Sequence, residues 1–313
     1  VVACGLLPAL ATLRALEPGQ STQVTLRHSL LPGLGMITAA LPIALLGFLL
    51  VPRLSSPLWG VSTPNQERSG LSDSMSPGGF TQLLIDDSPA MRVSFDGVPP
   101  PPRQRYFRAF VLSYYDGVSW TYHDVVNQPP APIEAANSIS YQISLVANHQ
   151  RVLPTLDVPL AAPSGSKMQR DRVVMADHPV NDPLTYSVSS ATKYVLQPEL
   201  GMHYRLWLQR PAGFNPRTRA LGQQWREHYG HDDAAIVQAA LNLFHDGGFR
   251  YTLAPSPLGR DAMDDFLFDT HEGFCEHYSS AFTVLMRAAG IPARVVTGYQ
   301  GGYWNALGNY LLV

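Results

Sequence analysis

The feature that most constrains this chain is a long apolar stretch near its start. Residues 29–52 contain no charged side chain, and residues 30–51 form one hydrophobic run interrupted by Pro42. At about 1.5 Å per residue, a helix over 30–51 is about 33 Å long, which is enough to cross a hydrocarbon core of about 30 Å. We therefore predict a transmembrane helix over 30–51, in which Pro42 is tolerated as a kink. A buried core helix and an uncleaved signal sequence are the alternatives.

The residues before this run predict its orientation. Residues 1–13 are apolar and uncharged but too short to cross a bilayer, so we interpret them as the end of a membrane helix whose start is missing. The connection that follows carries Arg14 and Arg27 against one acid, Glu17. An excess of arginine favours the cytoplasmic side of a membrane. Residues 1–52 are thus predicted to be a membrane segment, and everything after them is expected outside the cytoplasmic membrane.

The composition excludes several classes of protein. Lys and Arg number 22 against 24 Asp and Glu, a net charge of −2, which excludes a nucleic-acid partner bound through a broad basic surface. Hydrophobic residues make up 45% of the chain, which excludes disorder throughout. The two cysteines are Cys4, in or beside the predicted bilayer, and Cys275. They cannot pair, so Cys275 is expected to be a lone thiol outside the cytoplasm.

The middle of the chain has the pattern of short strands separated by turns. Residues 53–80 are rich in Ser, Pro and Gly and are interpreted as a linker. Residues 81–214 are predicted to form a β-rich extracytoplasmic domain, a sandwich or an irregular barrel, with Trp120 and Trp207 in its core. The predicted strands cover 91–95, 105–114, 138–146, 172–175, 185–189 and 205–208.

From residue 215 onward the pattern becomes helical. Asp232 or Asp233 is placed to cap a helix at its N-terminus, and Gly290 to end one. The predicted elements are helices over 218–229 and 232–245, a strand over 249–253, a helix that begins around Cys275 and ends at Gly290, and strands over 293–299 and near the end of the chain.

Cys275 lies in the first turn of the last predicted helix. The unpaired backbone N–H groups and the helix dipole at such a position favour a thiolate, the nucleophilic form of cysteine. The same N–H groups could hold a developing oxyanion. The alternative is that Cys275 is a small buried packing residue, as many free cysteines are.

A thiolate nucleophile normally needs a base, and two histidines are near in sequence. His277 is two positions from Cys275, so on a helix it is expected to face away. His271 precedes the helix and could approach. Cys275 and His277 as a zinc pair lack further ligands at suitable spacing, so no metal site is predicted.

Several blocks around this cysteine resemble the transglutaminase-like superfamily. More narrowly, the chain is similar to the bacterial membrane-anchored transglutaminase-like proteins, which have N-terminal membrane helices, a β-rich external segment and then the transglutaminase core. The stretch 114–120 also looks like that external segment. The blocks that carry the resemblance are Phe249-Arg250-Tyr251-Thr252-Leu253, Asp264-Asp265-Phe266-Leu267-Phe268, Gly273-Phe274-Cys275-Glu276-His277-Tyr278 and the run 287–299.

The resemblance implies a fold and a nucleophile. The expected fold class is α+β, with a pair of N-terminal transmembrane helices of which the first is truncated, a β-rich extracytoplasmic domain, and the helical half of a papain-like core over 215–313. Cys275 matches the nucleophile of the family's Cys-His-Asp triad. The family's His and Asp lie on strands that would follow residue 313, so the core is interpreted as incomplete and the fragment as inactive alone.

The resemblance also implies a reaction at the cell envelope, in the bacterial inner (cytoplasmic) membrane with the later domains on its periplasmic side. Cys275 would form a thioester from a glutamine or another amide and pass the acyl group to an amine or to water. This scheme requires no cofactor. The expected partners are a protein or peptide substrate, with peptidoglycan as a further candidate, and membrane lipid around the N-terminal helices.

Two arginines in the last of these blocks are expected to stabilise the fold. Arg287 and Arg294 match the family pattern and are interpreted as structural, in ion pairs with acids such as Asp264, Asp265 or Glu276.

Two alternative functions remain: a cysteine protease or peptidoglycan amidase on the same fold, and a non-catalytic binding scaffold.

Overall fold

The computed structural model describes residues 71–78, 88–123, 129–199 and 201–313. All of them belong to one compact unit of the chain, Gln66–Val313. The predicted transmembrane helix over 30–51 and the partial helix over 1–13 lie outside the described residues. Within the described ranges, no helix has the length and apolar character that crossing a membrane requires.

The described residues form a mixed α/β fold that is rich in short strands. In chain order the strands are Ser74–Met75 (β1), Met91–Phe95 (β2), Tyr106–Tyr115 (β3), Trp120–Tyr122 (β4), Ile133–Leu145 (β5), Val152–Leu153 (β6), Thr155–Leu156 (β7), Val158–Pro159 (β8), Ser166–Met168 (β9), Val174–Ala176 (β10), Leu184–Leu196 (β11), Arg250–Tyr251 (β12), Glu272–Gly273 (β13), Val295–Gln300 (β14), Tyr303–Asn305 (β15) and Tyr310–Leu312 (β16).

The helices lie mostly between β11 and β14. The α-helices are Pro216–Tyr229 (α1), Asp233–Asp246 (α2), Ala262–Asp265 (α3) and Cys275–Ala288 (α4), with 3₁₀ helices at Pro102–Gln104 and Met202–Leu208 and a π-helix at Phe266–Thr270. The predicted N-cap is confirmed at Asp232, whose side chain accepts a hydrogen bond from the backbone N–H of Ala235 at 3.0 Å. The predicted end of the last helix is also confirmed, because Gly290 follows α4 with φ +80°, in the left-handed region that favours glycine.

The largest sheet is antiparallel, with the strand order β15-β16-β2-β5-β11-β8. The sequence of β2 explains why one face of this sheet is buried. Met91, Val93 and Phe95 are buried, whereas Arg92 and Ser94 between them are exposed. This alternation is the pattern of a strand with one solvated face. The long pair β5 and β11 follows the same rule where the end of β5 meets the start of β11, since Tyr141 and Ile143 are buried there.

Two smaller sheets cover the buried face of the large one. One has the order β1-β4-β3-β14, with β7 also paired to β3, and the other has the order β6-β10-β9. Ile143 of the large sheet shares a hydrophobic core with Phe107 of β3, Leu156 of β7 and Val174 of β10. The predicted β-rich region is therefore confirmed as layers of sheet packed around a common core.

A second core lies on the other side of β3 and contains the helices. Phe110 and Leu112 of β3 pack there with Leu285 of α4, Ile236 of α2 and Phe266 of the π-helix. Since Phe107 belongs to the first core, β3 separates the two cores and contributes side chains to both.

Strands from both sides of residue 214 share two of the sheets. β14 pairs with β3 through Val295 opposite Leu112, and β16 pairs with β2 through Leu311 opposite Val93. The predicted β-rich domain 81–214 and core 215–313 are thus joined by backbone hydrogen bonds. The domain boundaries themselves stay a prediction.

Most predicted strands lie where the structure has strands, but the one over 205–208 is wrong. The strand predicted over 91–95 is found at Met91–Phe95, whereas 205–208 lies in the 3₁₀ helix Met202–Leu208. Four residues with one apolar alternation cannot distinguish a strand from a helical turn. Tertiary contacts decide: the helix buries Trp207, whose carbonyl oxygen accepts the N–H of Ala293 at 3.1 Å. Trp120 and Trp207 are buried as predicted, but Trp120 packs in the second core, with the helices, and Trp207 lies against the guanidinium groups of Arg170 and Arg294.

Arg287 joins α4 to the sheets from a position with no solvent exposure. Its guanidinium donates hydrogen bonds to the carbonyl oxygens of Ala293 at 2.8 Å, Gln209 at 2.6 Å and Ser113 at 2.8 Å. The same group lies 4.7 Å from the centre of the Trp120 ring, a cation–π contact. Burial, with the nearby charge of Arg294, lowers the pKa of Arg287 to about 10, so the group remains charged at neutral pH.

The expected ion-pair partners of the two arginines are wrong, although both arginines are structural. Arg287 bonds to carbonyl oxygens, and Arg294 pairs with Asp171 and lies 4.1 Å from the centre of the Trp207 ring. Asp264 instead caps α1, where it accepts hydrogen bonds from the backbone N–H groups of Arg217 at 2.9 Å and Thr218 at 2.7 Å. A carboxylate is favoured at a helix N-terminus because four backbone N–H groups there lack partners within the helix.

Replacing Arg287 by methionine is expected to destabilise the fold strongly. The substitution leaves three partly buried carbonyl oxygens without the Arg287 donor, at about 1 kcal/mol or more each, so the free energy of unfolding should fall by about 3 kcal/mol. Urea denaturation of the two proteins measures the difference. Arg103→Met is the control, because Arg103 is exposed and should change stability by less than about 0.5 kcal/mol. Equal stability of the two variants would contradict this account of Arg287.

Candidate active site

Cys275 is the first residue of α4, and its side chain is exposed. The opposite face of the helix is buried, with Ala281, Leu285 and Met286 in the second core. The structure therefore contradicts the alternative that Cys275 is a packing residue. It agrees with the prediction of a thiol at a helix N-terminus, while the catalytic role of Cys275 stays a prediction.

The start of α4 is built from backbone and imidazole hydrogen bonds. Phe274 is extended, with φ −124° and ψ −172°, and its carbonyl oxygen accepts the N–H of His277 at 2.9 Å. The N–H of Phe274 in turn donates to Nδ1 of His277 at 3.4 Å. Gly273 is required just before, because a Cβ there would lie 2.7 Å from the Cβ and Cγ atoms of His277. This local packing turns the chain so that Cys275 begins the helix.

Neither nearby histidine is directed at the sulfur. His277 has no exposed surface and its ring packs against Phe274 at 4.5 Å, so the prediction that it faces away is confirmed. Burial lowers the pKa of His277, which keeps the ring neutral. His271 donates from Nε2 to the carbonyl oxygen of Leu267 at 2.8 Å, and its ring contacts Phe249 at 4.7 Å. Both imidazoles are thus engaged away from Cys275.

Backbone hydrogen bonds at the start of α4 lower the pKa of the Cys275 thiol, as predicted, but its surroundings as a whole raise it. Burial raises the pKa of the Cys275 thiol, and the neighbouring carboxylate of Glu276 raises it further. The backbone N–H groups of Glu276 and Cys275 and the hydroxyl of Tyr251 lower it, but by less. The sulfur keeps an exposed side, yet enough protein surrounds it to disfavour a negative charge. Activation of the thiol therefore requires a base.

Glu276 is a partly buried carboxyl group beside Cys275. The backbone N–H of Gly78 donates a hydrogen bond to it, while Oε2 is buried and has no hydrogen-bond partner in the part of the chain that the structure describes. Burial raises the pKa of Glu276 to about 7. The hydrogen bond from Gly78 lowers this pKa, but by less than burial raises it. Near neutral pH this carboxyl group therefore changes charge next to Cys275.

Two tyrosines near the sulfur were not identified from the sequence. Tyr251 hydrogen-bonds the Cys275 side chain, and negative charge on Cys275 raises the pKa of Tyr106. Tyr106 donates its hydroxyl proton to the carbonyl oxygen of Val296 at 3.1 Å. Tyr251 lies in a block that carries the family resemblance, but its position became evident only from the pairing of β12 with β13.

Within the described ranges, no group of three or more His, Cys, Asp and Glu side chains is placed to hold a metal ion. Cys275, with Tyr251 and Glu276 next to it, is the candidate site in the described part of the chain.

Comparison with known families accounts for nearly the whole chain. Residues 1–197 match the TgpA N-terminal domain, and residues 220–310 match the transglutaminase-like superfamily. The chain belongs to the bacterial transglutaminase-like proteins that carry a TgpA N-terminal domain. The resemblance inferred from the sequence is confirmed.

Two curated relatives match different lengths of this chain. The chain is 39% identical to a protein-glutamine gamma-glutamyltransferase of Pseudomonas aeruginosa over 320 residues, which covers 98% of this chain and 47% of that protein. It is 53% identical over 107 residues to the uncharacterized protein YebA of Bacillus subtilis, which covers 33% of this chain and 14% of that protein. The chain thus spans less than half the length of the curated relatives it matches.

Solved structures of the same family share the fold. The periplasmic domain of TgpA from Pseudomonas aeruginosa bound to ethylmercury has a TM-score of 0.73 and 38% sequence identity, covering 78% of this chain and 87% of that chain. Another structure of that domain has a TM-score of 0.72 at the same identity, covering 78% of this chain and 85% of that chain. The mixed fold with a β-rich part and a transglutaminase-like helical part is therefore shared with a periplasmic domain.

Glu276→Gln is expected to lower the pKa of the Cys275 thiol. The substitution removes the negative charge that disfavours the thiolate and leaves an oxygen to accept from Gly78. The rate of iodoacetamide alkylation at Cys275, followed by mass spectrometry across pH, reports the thiol pKa. Glu227→Gln, an exposed position on α1, is the control and should leave the profile unchanged. An unchanged or raised pKa in Glu276→Gln would contradict the assigned role of the charge.

Glu276 is also expected to make stability fall as pH rises. Its pKa is about 7 in the folded protein against 4.5 for the free group, so the folded state binds more protons than the unfolded state between these values. Stability then decreases from about pH 4.5 to about pH 7 and levels off above. Thermal melting of the wild type should show this decrease, and Glu276→Gln should flatten it. A profile that is identical in both proteins would count against a buried Glu276.

Proposed function

We propose that the whole protein is a transglutaminase-type acyltransferase of the bacterial cell envelope, with Cys275 as its nucleophile. The observation that carries the proposal is an exposed cysteine at the start of α4, in a chain 39% identical over 98% of its length to a protein-glutamine gamma-glutamyltransferase. The likeness to a periplasmic domain supports a location outside the cytoplasmic membrane. The apolar run 30–51 supports attachment to that membrane.

The proposed reaction begins at the sulfur of Cys275. The thiolate adds to the carbonyl carbon of a glutamine side chain or another amide, a C–S bond forms, and the C–N bond breaks. The leaving nitrogen takes a proton and departs as ammonia or an amine. The thioester then transfers its acyl group to an amine, which gives an isopeptide bond, or to water. Sulfur suits both steps because a thiolate is a strong nucleophile and a good leaving group.

A base is needed because burial and Glu276 disfavour the thiolate. His271 and His277 are both engaged elsewhere. The proposal therefore assigns the base to the histidine, and its orientation to the aspartate, that the family resemblance places on strands after residue 313. That histidine would carry the thiol proton to the leaving nitrogen.

The proposed substrate is a protein or peptide that presents a glutamine or a related amide, with peptidoglycan stems as a further candidate. An exposed sulfur at the surface of α4 is accessible to such a chain. Membrane lipid is the proposed partner of the run 30–51. Hydrolysis by a protease or amidase, and binding without catalysis, are outcomes that the following test separates.

Cys275→Ser is expected to abolish incorporation of a fluorescent primary amine into a glutamine-containing protein, with at least about a 1,000-fold loss in rate because the nucleophile is removed. The whole protein is assayed in its membrane or in detergent, by gel fluorescence. Cys4→Ser is the matched control and should retain the wild-type rate. Peptide or cell-wall cleavage without amine transfer would favour the hydrolase. Neither activity in the wild type would favour the scaffold.

A further inference from the structure

An open groove lies where β2 ends beside β5, and its volume is about 640 Å³. One wall belongs to the segment 96–104, called the proline loop here because residues 99–102 are all proline. The other wall is β5 over residues 136–139. Val98 of the loop is 87% exposed, and residues 136–138 of the strand are also exposed, so the groove is accessible from solvent.

The prolines explain why a groove exists at this place. β2 pairs with β5 as far as Phe95, which lies opposite Tyr141. The chain cannot continue this pairing, because the prolines that follow have no N–H to donate to the ladder. The loop is instead held away from β5: Pro100 is buried, and its carbonyl oxygen accepts a hydrogen bond from Nε of Arg105 at 2.8 Å. The groove is therefore formed before any ligand arrives.

The edge of β5 that faces the groove has unpaired backbone groups. In an antiparallel ladder, alternate residues direct their N–H and C=O groups to opposite neighbours. The N–H of Asp96 donates to the carbonyl oxygen of Ser140 at 2.9 Å, so Ser140 faces the side of β2. Ser138 faces the same side, where no strand among the described residues pairs with it. Its backbone groups are thus available to an added strand.

The charge in the groove indicates what kind of strand would bind. Among the described residues that line the groove, Asp96 alone is charged. Its side chain is exposed and forms no ion pair with another described residue. A carboxylate without a partner is complementary to a basic side chain in the bound segment.

The proline loop connects the groove to the neighbourhood of Cys275. Gln104 lines the groove, and two residues later Tyr106 begins β3. Tyr106 lies near enough to Cys275 to interact with its charge. One extended polypeptide can therefore contact both the groove and the sulfur.

We propose that this groove binds an extended segment of the polypeptide substrate as an added strand beside β5, with an arginine or lysine of that segment against Asp96. The proposal rests on the proposed acyl transfer at Cys275, which requires a substrate that presents a glutamine or a related amide. Main-chain hydrogen bonds to an open sheet edge provide affinity, and contacts with side chains provide specificity. The groove recognises an extended, basic segment, whereas the site at Cys275 selects the amide.

The test measures binding in the whole protein in detergent, with Cys275→Ser in every variant so that no catalysis occurs. The probe is a fluorescein-labelled peptide of alternating valine and polar residues that contains glutamine and arginine but no lysine, so it offers no side-chain amine. Asp96→Lys reverses the charge, and Ser138→Pro removes the free N–H. Asp182→Lys is the matched control, because Asp182 is exposed and lies just before β11, at the other end of the β5–β11 pair. Circular dichroism verifies the fold of each variant.

We expect Asp96→Lys and Ser138→Pro each to raise the Kd of the peptide by about five-fold or more in fluorescence anisotropy, as loss of one hydrogen bond or charge contact does. Asp182→Lys should leave the Kd unchanged. A peptide with N-methyl groups on alternate residues should bind the unsubstituted groove correspondingly more weakly, and this result does not depend on the folding of Ser138→Pro.

Four results would overturn the proposal. The first is that the peptide does not bind, and the second is that it binds the groove variants as tightly as the unsubstituted groove. The third is an equal loss in Asp182→Lys, because net charge alone would then explain the effect of Asp96→Lys. The fourth is equal binding of the N-methylated peptide, because no strand would then be added to β5.

Kinetics with Cys275 restored separates docking from catalysis. With a fluorescent amine as acceptor, Asp96→Lys should raise KM for the peptide by the same factor and leave kcat unchanged. A blocked Gln-Gly dipeptide is too short to pair as a strand, so its rate should not change. An equal loss with the dipeptide would show that the substitution distorts the active site, which would contradict docking.

The two measurements also distinguish this inference from the proposed function. If the peptide binds in a groove-dependent manner but no amine is transferred by the wild type, the acyltransferase proposal fails and the docking groove stands. If amine transfer occurs and neither binding nor KM depends on Asp96 and Ser138, the enzyme stands and the docking groove is wrong.

Discussion

The position of Cys275 depends on a buried positive charge that has no acidic partner among the described residues. Arg287 lies near the end of α4, bonds three carbonyl oxygens from three other segments, and rests on the face of Trp120. Burying a charge is costly unless its hydrogen bonds are satisfied, and here carbonyl dipoles and an aromatic ring satisfy them. Because these contacts anchor the helix to β3 and to the lead-in of β14, they also hold Cys275 at its other end.

Around Cys275 the electrostatic effects oppose one another, and the helix N-terminus alone does not lower the pKa of the thiol below its ordinary value. Backbone N–H groups and the hydroxyl of Tyr251 favour the thiolate, while burial and Glu276 disfavour it more strongly. Such a site holds a protonated thiol at rest and becomes nucleophilic only when a base removes the proton. The arrangement is consistent with the triad that the family resemblance implies. The pKa of Glu276 is about 7, so its negative charge opposes the thiolate increasingly as the pH rises through neutrality.

Local patterns predicted many elements because their residues satisfy short-range rules. The alternation of β2, the cap at Asp232 and the left-handed Gly290 are each determined within a few residues. The segment 205–208 was mispredicted because its helical form depends on burying Trp207 beneath residues far along the chain. The partners of Arg287 were mispredicted for the same reason. Every residue has a backbone carbonyl oxygen, so the sequence does not show which of them a buried arginine will bond.

The family and the helix that begins at Cys275 follow from the sequence alone, because the motif blocks around the cysteine and the glycine that ends the helix are local patterns. What surrounds the sulfur is set by contacts between segments that lie far apart in the chain. Tyr251 is brought there by a two-residue parallel strand pair, and Glu276 is covered by Gly78 from a segment far away in the chain. Proton affinities depend on burial and on neighbouring charges, and both are properties of the folded chain rather than of any stretch of it.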